Sequence, residues 1–177
     1  QRDYTMLQGK SSMNLGASVN KDGWKFDATL AVDETRLNSL GLKMGYQNPD
    51  EFKGFLLGYK KQWVADNAAY ADKFDVLLEY SIGKWYGRVS GGMDVMGTKV
   101  TKTNLDLGIG YQVNKDWMAI GGVQQNGAMN KQGTGLDMSY RAYAGAQYGG
   151  VGVALFHDNG GSGKGTTGVM LTIPFGR

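Results

Sequence analysis

The sequence contains no cysteine, two prolines and a single histidine in 177 residues. Without cysteine it forms neither a disulfide framework nor a thiolate metal site. It has no apolar run of about 18 residues, which excludes a membrane-spanning helix. Its net charge of +3 is dispersed rather than clustered, so nucleic acid is not an expected partner. Glycine is abundant at 29 residues, and high glycine with low proline argues against both a disordered linker and collagen.

The stretch 104–123 carries the pattern that recurs along the chain. Large apolar residues alternate there with polar or very small ones, as N-L-D-L-G-I-G-Y from Asn104 to Tyr111. A period of two places the apolar residues on one face of a β-strand. The polar segment from Gln112 to Asp116 then forms a turn, and Trp117 begins a second extended run. We therefore predict a β-hairpin with an aromatic residue beside the turn on each strand.

The same alternation extends from one end of the chain to the other, without a helical period longer than about two turns. We predict an all-β chain in a single domain, residues 1–177, with eleven clear strands and one weak N-terminal strand. The predicted strands cover residues 2–9, 12–19, 24–33, 39–46, 52–61, 74–82 and 85–96, a hairpin over 103–125, and 136–148, 151–157 and 169–175. The longer predicted loops cover residues 34–38, 62–72, 97–102, 126–134 and 158–167, and the second of these has room for a short helix.

The predicted connections between strands alternate in length. Those near Asn20, Asn48, Gly83, Lys115 and Gly149 are short, whereas those at the opposite strand ends are mostly longer. This layout is typical of an antiparallel up-and-down β-barrel with a short-turn rim and a long-loop rim. Closing such a sheet removes its edges, which otherwise promote aggregation.

Aromatic residues cluster at the short-turn rim, on the apolar face. They are Trp24, Tyr46, Tyr80, Trp85, Tyr111, Trp117, Tyr148 and Phe175. A bilayer interface selects rings at one level, because amphipathic rings sit among the lipid headgroups. Aromatic residues also favour strands in general, but that preference alone scatters them along each strand. The clustering predicts an aromatic girdle and a lipid bilayer as the partner of the apolar face.

The opposite face is polar and rich in small residues such as Ser90, Gly92 and Gly108. Small polar residues fit a confined, wet interior better than a solvent-exposed sheet face. Charged residues share this face and are expected to line the lumen of the barrel. They are Lys25, Asp27, Lys43, Lys60, Asp75, Glu79, Arg88, Asp94, Asp106, Asp137 and Arg141. The alternative is that these charges pair across the interior and seal it as a packed polar core.

One pair of these charges has a predicted register. Gly83 and Lys84 form a two-residue connection, and glycine at its first position suits a type II′ turn. Ile82 then faces Trp85, which places Glu79 directly opposite Arg88. The pair either supports the strand register alone or also sets the ion preference of the lumen near the short-turn rim.

The hairpins G-I-G-Y-Q-V-N-K-D-W and Y-S-I-G-K-W-Y-G and the closing strand V-M-L-T-I-P-F resemble those of bacterial outer-membrane β-barrel proteins of the porin-like kind. The resemblance covers the whole chain as a pattern and implies a transmembrane barrel of about 12 strands in the bacterial outer membrane, with short periplasmic turns and longer extracellular loops. Members commonly end in an alternating strand with a terminal aromatic residue that the insertion machinery reads. This sequence departs from that pattern, since Pro174 lies inside the strand and Gly176 and Arg177 follow Phe175.

Two features imitate catalytic motifs. The segment 160–166, G-G-S-G-K-G-T, looks like a phosphate-binding loop, but Asp158 stands where the motif requires its first glycine and a strand follows instead of a helix. A flexible surface loop explains it better. His157 lies at a strand end beside this loop, and a lone histidine there is more often a rim residue than a catalytic one. We predict no enzyme activity, no catalytic residue, no metal site and no cofactor.

The expected function is an outer-membrane channel or pore for ions or small solutes. Twelve strands close at a backbone radius of roughly 11–12 Å, which leaves a narrow lumen. Three alternatives stay open: a non-conducting outer-membrane scaffold or adhesin that acts through its loops, an outer-membrane enzyme, and a soluble ligand-binding barrel. The single histidine disfavours the enzyme. No oligomeric state follows from the sequence.

Overall fold

The structure, a computed structural model, describes residues 2–7, 10–33, 36–48, 50–63, 70–160 and 165–175. The described residues are all-β. Their strands are β1 (Arg2–Leu7), β2 (Lys10–Lys21), β3 (Trp24–Asp33), β4 (Arg36–Asn48), β5 (Lys53–Trp63), β6 (Tyr70–Ile82), β7 (Trp85–Met96), β8 (Lys99–Gln112), β9 (Trp117–Met129), β10 (Leu136–Tyr148), β11 (Val151–Asn159) and β12 (Gly165–Thr172). This part of the chain contains no helix long and apolar enough to cross a membrane.

All of the strands belong to one sheet, in which each strand pairs with its neighbours in sequence order from β1 to β12. Every pairing is antiparallel, as predicted for an up-and-down arrangement. β1 and β12 are the edge strands. Within residues 2–7 and 165–172 no backbone pairing joins these two edges, so the sheet is open in this structure.

Two of the short turns have the backbone geometry that their sequences favour. Asp22 and Gly23 both have positive φ, 51° and 85°, which is the requirement of a type I′ hairpin turn. Gly83 has a φ of 57°, while Lys84 is not among the residues with positive φ, and this combination suits the predicted type II′ turn. The register that follows, with Ile82 opposite Trp85 and Glu79 opposite Arg88, is confirmed.

The strands at the other rim extend further than the sequence predicts. The loop predicted over 97–102 is wrong, because only Gly97 and Thr98 separate β7 from β8. A register shift between Asp94 and Val95 interrupts the pairing there, and such a bulge breaks the period of two that a sequence reading relies on. β9 likewise runs to Met129, into the loop predicted over 126–134. Residues 34–35, 64–69 and 161–164 lie outside the described residues, and so do the predictions that rest on them.

Most of the buried apolar side chains lie together on the polar face, near the short-turn rim. Only five described hydrophobic residues are buried: Phe52, Met118, Ile120, Ala154 and Phe175. Tyr86, Tyr143 and Met170 pack against this cluster. The core therefore sits at one end of the face that also carries the charges.

Candidate functional site

The polar face collects every charged residue that was predicted to line an interior. Direct register partners share a face of the sheet, and successive pairings connect the eleven predicted positions to one another or to polar neighbours. Partners on this face are Lys25 with Gly45, Asp27 with Lys43, Lys60 with Lys73, Asp75 with Gly58 and Gly92, Glu79 with Arg88, Asp94 with Lys102, Asp106 with Gln124, Asp137 with Ala128, and Arg141 with Asp158.

Opposite charges face each other repeatedly across adjacent strands. The Arg88 guanidinium donates to the Glu79 carboxylate at 3.3 Å, and the Arg141 guanidinium donates to Asp158 at 2.9 Å through Nη2. Lys73 Nζ lies 3.8 Å from an oxygen of Asp94. Cross-strand pairs of opposite sign stabilise the register and reduce the cost of enclosing charge.

The polar face is open along the N-terminal half of the sheet. Glycine occupies positions 16, 41, 45, 54 and 58 on this part of the face. A cavity of about 660 Å³ lies along this half, and Ser18, Asp27, Lys43, Lys60 and Asp75 contribute to its lining. A second cavity of about 600 Å³ shares Asp75 and continues past Asp94 and Lys102. Both cavities are lined by charges of both signs.

The C-terminal half of the same face is filled near the short-turn rim. Met118, Ile120 and Tyr143 occupy it with large side chains that stand among the polar ones. Asp106 lies beside them and accepts a hydrogen bond of 2.7 Å from Gln124 Nε2 and one of 3.4 Å from the Tyr143 hydroxyl. The polar face is thus asymmetric: it is open along β2–β6 and at the long-loop ends of β6–β10, and packed near the short-turn ends of β7–β11.

The chain after β12 turns into this filled half. Gln147 is 3% exposed and holds the backbone of Phe175 at both polar atoms: it accepts from the Phe175 N–H at 2.8 Å and donates to the Phe175 carbonyl at 2.8 Å. Arg88 donates to the carbonyls of Ile173 and Pro174, at 3.2 and 2.7 Å. Two side chains from different strands therefore anchor residues 173–175.

Phe175 corrects the predicted aromatic girdle. It is 2% exposed, and its ring lies 4.7 Å from the Arg88 guanidinium and 5.9 Å from the ring of Phe52. The prediction that it stands on the apolar face is wrong. Pro174 lacks an N–H, so β12 ends at Thr172 and the next residues no longer keep the alternation of a strand.

Two glycines of β8 make room for this ring. A Cβ atom at Gly108 would lie 2.8 Å from Phe175 Cζ and 3.0 Å from the Tyr143 hydroxyl. A Cβ atom at Gly110 would lie 3.3 Å from Phe175 Cγ and 2.6 Å from the sulfur of Met118. Distances below 3 Å require the neighbours to move in a packed interior. The Phe175 ring can occupy this position on the polar face because residues 108 and 110 are glycines.

We expect Gly108→Ala to destabilise the fold by about 1–3 kcal/mol, because the added methyl group overlaps a ring that Gln147 holds in place. Gly87→Ala is the matched control on the other face, where the nearest atom to an added Cβ is the Tyr80 carbonyl oxygen at 3.8 Å. The control is expected to be neutral or slightly stabilising, since alanine restricts the unfolded chain more than glycine does. Equilibrium urea unfolding measures both, and equal stabilities would contradict the packing argument.

The apolar face carries the other predicted girdle residues at its short-turn end. Trp24, Tyr80, Trp85, Trp117 and Tyr148 are 47–57% exposed, and Tyr111 is 36% exposed. Three pairs of register partners bring their rings into edge-on or tilted contact there: Trp24 with Tyr46, Trp85 with Tyr111 and Trp117 with Tyr148, with ring centroids 5.5, 4.7 and 4.9 Å apart. Each pair connects the turn-ends of two adjacent hairpins. The remaining rings therefore form a row at one level.

Sequence reasoning missed the residues that fill the interior. Gln147 has the parity of the polar face, but its two partners are backbone atoms 28 residues away along the chain. Phe52 lies in the β4–β5 turn with a φ of 49°, a left-handed conformation that is uncommon for a bulky residue. Its ring nevertheless packs on Tyr86 at 5.4 Å. The sequence does carry a signal for Met118 and Ile120. They are large apolar residues at positions of β9 whose parity places them on the polar face.

The described residues contain no group of three or more side chains suited to hold a metal ion. Comparison of the chain with protein families, curated proteins and solved structures gives no match to a family model, to a curated protein or to a solved structure.

Proposed function

We propose that this protein is a bacterial outer-membrane β-barrel that lets ions or small solutes pass through a narrow polar interior. The observation that carries the proposal is the contrast between the two faces of the sheet. Thirty-three large hydrophobic side chains are exposed among the described residues, against five hydrophobic residues that are buried. Water-soluble monomers rarely expose contiguous apolar patches larger than a few hundred Å². A lipid bilayer is the environment that makes such a face favourable.

In the proposed barrel the two edge strands pair with each other. Successive strands of an up-and-down sheet alternate in direction. The first and last of the twelve strands, β1 and β12, therefore run in opposite directions and can pair antiparallel. Their pairing would supply partners for the edge N–H and C=O groups, which cost several kcal/mol each when unsatisfied in lipid. The row of aromatic rings then lies at one headgroup level, as an interfacial girdle does.

The open parts of the polar face supply the proposed path. One cavity lies beside β2–β6 and the other beside the long-loop ends of β6–β10. They share the lining residue Asp75, and charged and hydroxyl side chains contribute to both linings. Such a lining replaces part of the hydration of an ion in a pore. The filled half supports a second candidate, a non-conducting barrel that serves as a scaffold, because the packed cluster around Phe175 narrows the interior at the short-turn rim.

Single-channel recording in a planar bilayer separates these two candidates. A channel gives discrete current steps after insertion of the purified protein, whereas a scaffold gives inserted, heat-modifiable protein without current. Reconstitution also tests the membrane assignment itself. A protein that stays folded and monodisperse in buffer without detergent or lipid would refute both candidates together.

Glu79 offers a test of ion preference. Arg88 is held by two carbonyl groups as well as by Glu79, so it remains in place when the carboxylate is neutralised. Glu79→Gln leaves an uncompensated positive charge near the short-turn rim and is expected to shift the reversal potential in an asymmetric KCl gradient toward anion preference. Asp22→Asn is the control, because Asp22 is exposed in the β2–β3 turn and does not line the cavity at the short-turn rim, and salt screens its charge. An unchanged reversal potential in Glu79→Gln excludes a role in selectivity.

A further inference from the structure

We propose that Phe175, anchored by Gln147 and Arg88, is an internal stopper that closes the short-turn end of the polar interior. The inference rests on the proposed function, since a stopper acts on a path that conducts. In this proposal, residues 173–175 close the path when they lie on the polar face. The path opens when the hydrogen bonds from Gln147 and Arg88 to this segment are lost.

Phe175 stands between two spaces. On the side of the short-turn rim is a cavity of about 480 Å³, to which Phe52, Met118, Gln147 and Phe175 contribute. On the inner side is a pocket of about 80 Å³, lined in part by Arg88, Asp106, Tyr143 and again Phe175. Because Phe175 borders both spaces, its ring forms part of the partition between them.

Apart from the packing of the Phe175 ring, the segment is attached to the polar face by four hydrogen bonds. Its backbone accepts from Arg88 at residues 173 and 174 and exchanges two hydrogen bonds with Gln147 at residue 175. It makes no ladder pairing with β11, because the last pair of that ladder is Gly152 with Thr172. Ile173 is 70% exposed. The stopper therefore belongs to no strand and can leave the interior without breaking the sheet.

Gln147 is the anchor whose removal releases the stopper with the least damage. Its amide makes both hydrogen bonds to Phe175 and a third, of 3.2 Å, to the carbonyl of Gly149. Gln147→Ala removes no backbone group of the strand ladder, no charged side chain and no part of the Phe175 side chain. Gln124→Ala is the matched control, because Gln124 also borders the inner pocket but makes its hydrogen bond to Asp106 and none to the segment, so its removal widens the pocket without releasing the segment.

The first experiment compares single-channel conductance and open probability of the parent protein, Gln147→Ala and Gln124→Ala in planar bilayers. We expect the product of conductance and open probability to rise several-fold in Gln147→Ala and to stay near the parent value in Gln124→Ala. Phe175→Leu is a second variant, which keeps an apolar side chain at this position but replaces the ring with a smaller group. We expect it to raise the product of conductance and open probability as well. Equal, non-zero currents in all four proteins would overturn the stopper, whereas inserted protein without current in any of them would refute the channel.

The second experiment does not depend on current. The natural chain has no cysteine, and the Thr172 hydroxyl, which borders the inner pocket, is buried without a hydrogen-bond partner among the described atoms. Thr172→Cys is expected to react slowly with a polar thiol reagent and several-fold faster when combined with Gln147→Ala. Equal rates overturn the stopper. A faster rate without current in any variant shows that Gln147 holds residues 173–175 over Thr172 and refutes the channel, and with it the closing role of the segment.

Discussion

Leu107→Arg is expected to cost ~2–4 kcal/mol of folding free energy in a lipid bilayer, the range measured for a cationic side chain on the lipid face of a barrel near the midplane. Leu107 lies in the middle of β8, opposite Val89 and Val123, and is 45% exposed on the apolar face. No charged partner is available at its two register positions. Urea unfolding of the protein refolded into lipid vesicles measures the difference from the parent.

The matched control places the same side chain on the other face of the same strand. Asn104 is exposed and pairs with Gly92 and Asn126, so Asn104→Arg adds a guanidinium to polar surroundings and is expected to change stability by less than about 1 kcal/mol. If the protein were a soluble barrel with Leu107 facing water, Leu107→Arg would interrupt an exposed apolar patch. Leu107→Arg would then be the more soluble of the two variants. Equal refolding of the two variants into vesicles would exclude lipid as the environment of Leu107.

Arg88→Met is expected to destabilise the protein by about 3 kcal/mol, since it leaves a carboxylate and two backbone carbonyls without their donor. The side chains of Arg88 and Glu79 are only 11% and 17% exposed. The guanidinium also lies 5.5 Å from the ring of Phe52 and 4.7 Å from that of Phe175, so its removal loosens the core as well. Methionine retains most of the volume, which limits the contribution of a cavity.

A double-mutant cycle separates the ion pair from the other contacts of Arg88. Arg88→Met leaves the Glu79 carboxylate without its partner, and Glu79→Gln removes that negative charge. The double variant is therefore expected to be more stable than Arg88→Met alone by about 1 kcal/mol. The remaining loss then belongs to the carbonyl groups of residues 173 and 174 and to the two rings. A value for Arg88→Met within about 0.5 kcal/mol of the parent would mean that the segment is not anchored through this side chain.

The turn chemistry and the local alternation were readable because both are local properties. Glycine at position 83 selects a turn with positive φ, and that turn alone places Glu79 opposite Arg88. A bulge has no such local signature, because the extra residue changes the phase of the side chains without a characteristic composition. This is why β8 begins at Lys99 and the loop predicted there is absent.

The sequence by itself determined the all-β class, the sequential antiparallel order and the division of the chain into an apolar and a charged face, because a period of two dictates which side chains share a surface. Only the tertiary structure decided what fills the charged face. The contacts of Phe175 come from β4–β5, β7, β8 and β10, and no local pattern encodes the meeting of such distant segments. The space they occupy exists because glycines 108 and 110 lack side chains, a fact whose meaning depends on the ring that lies against them.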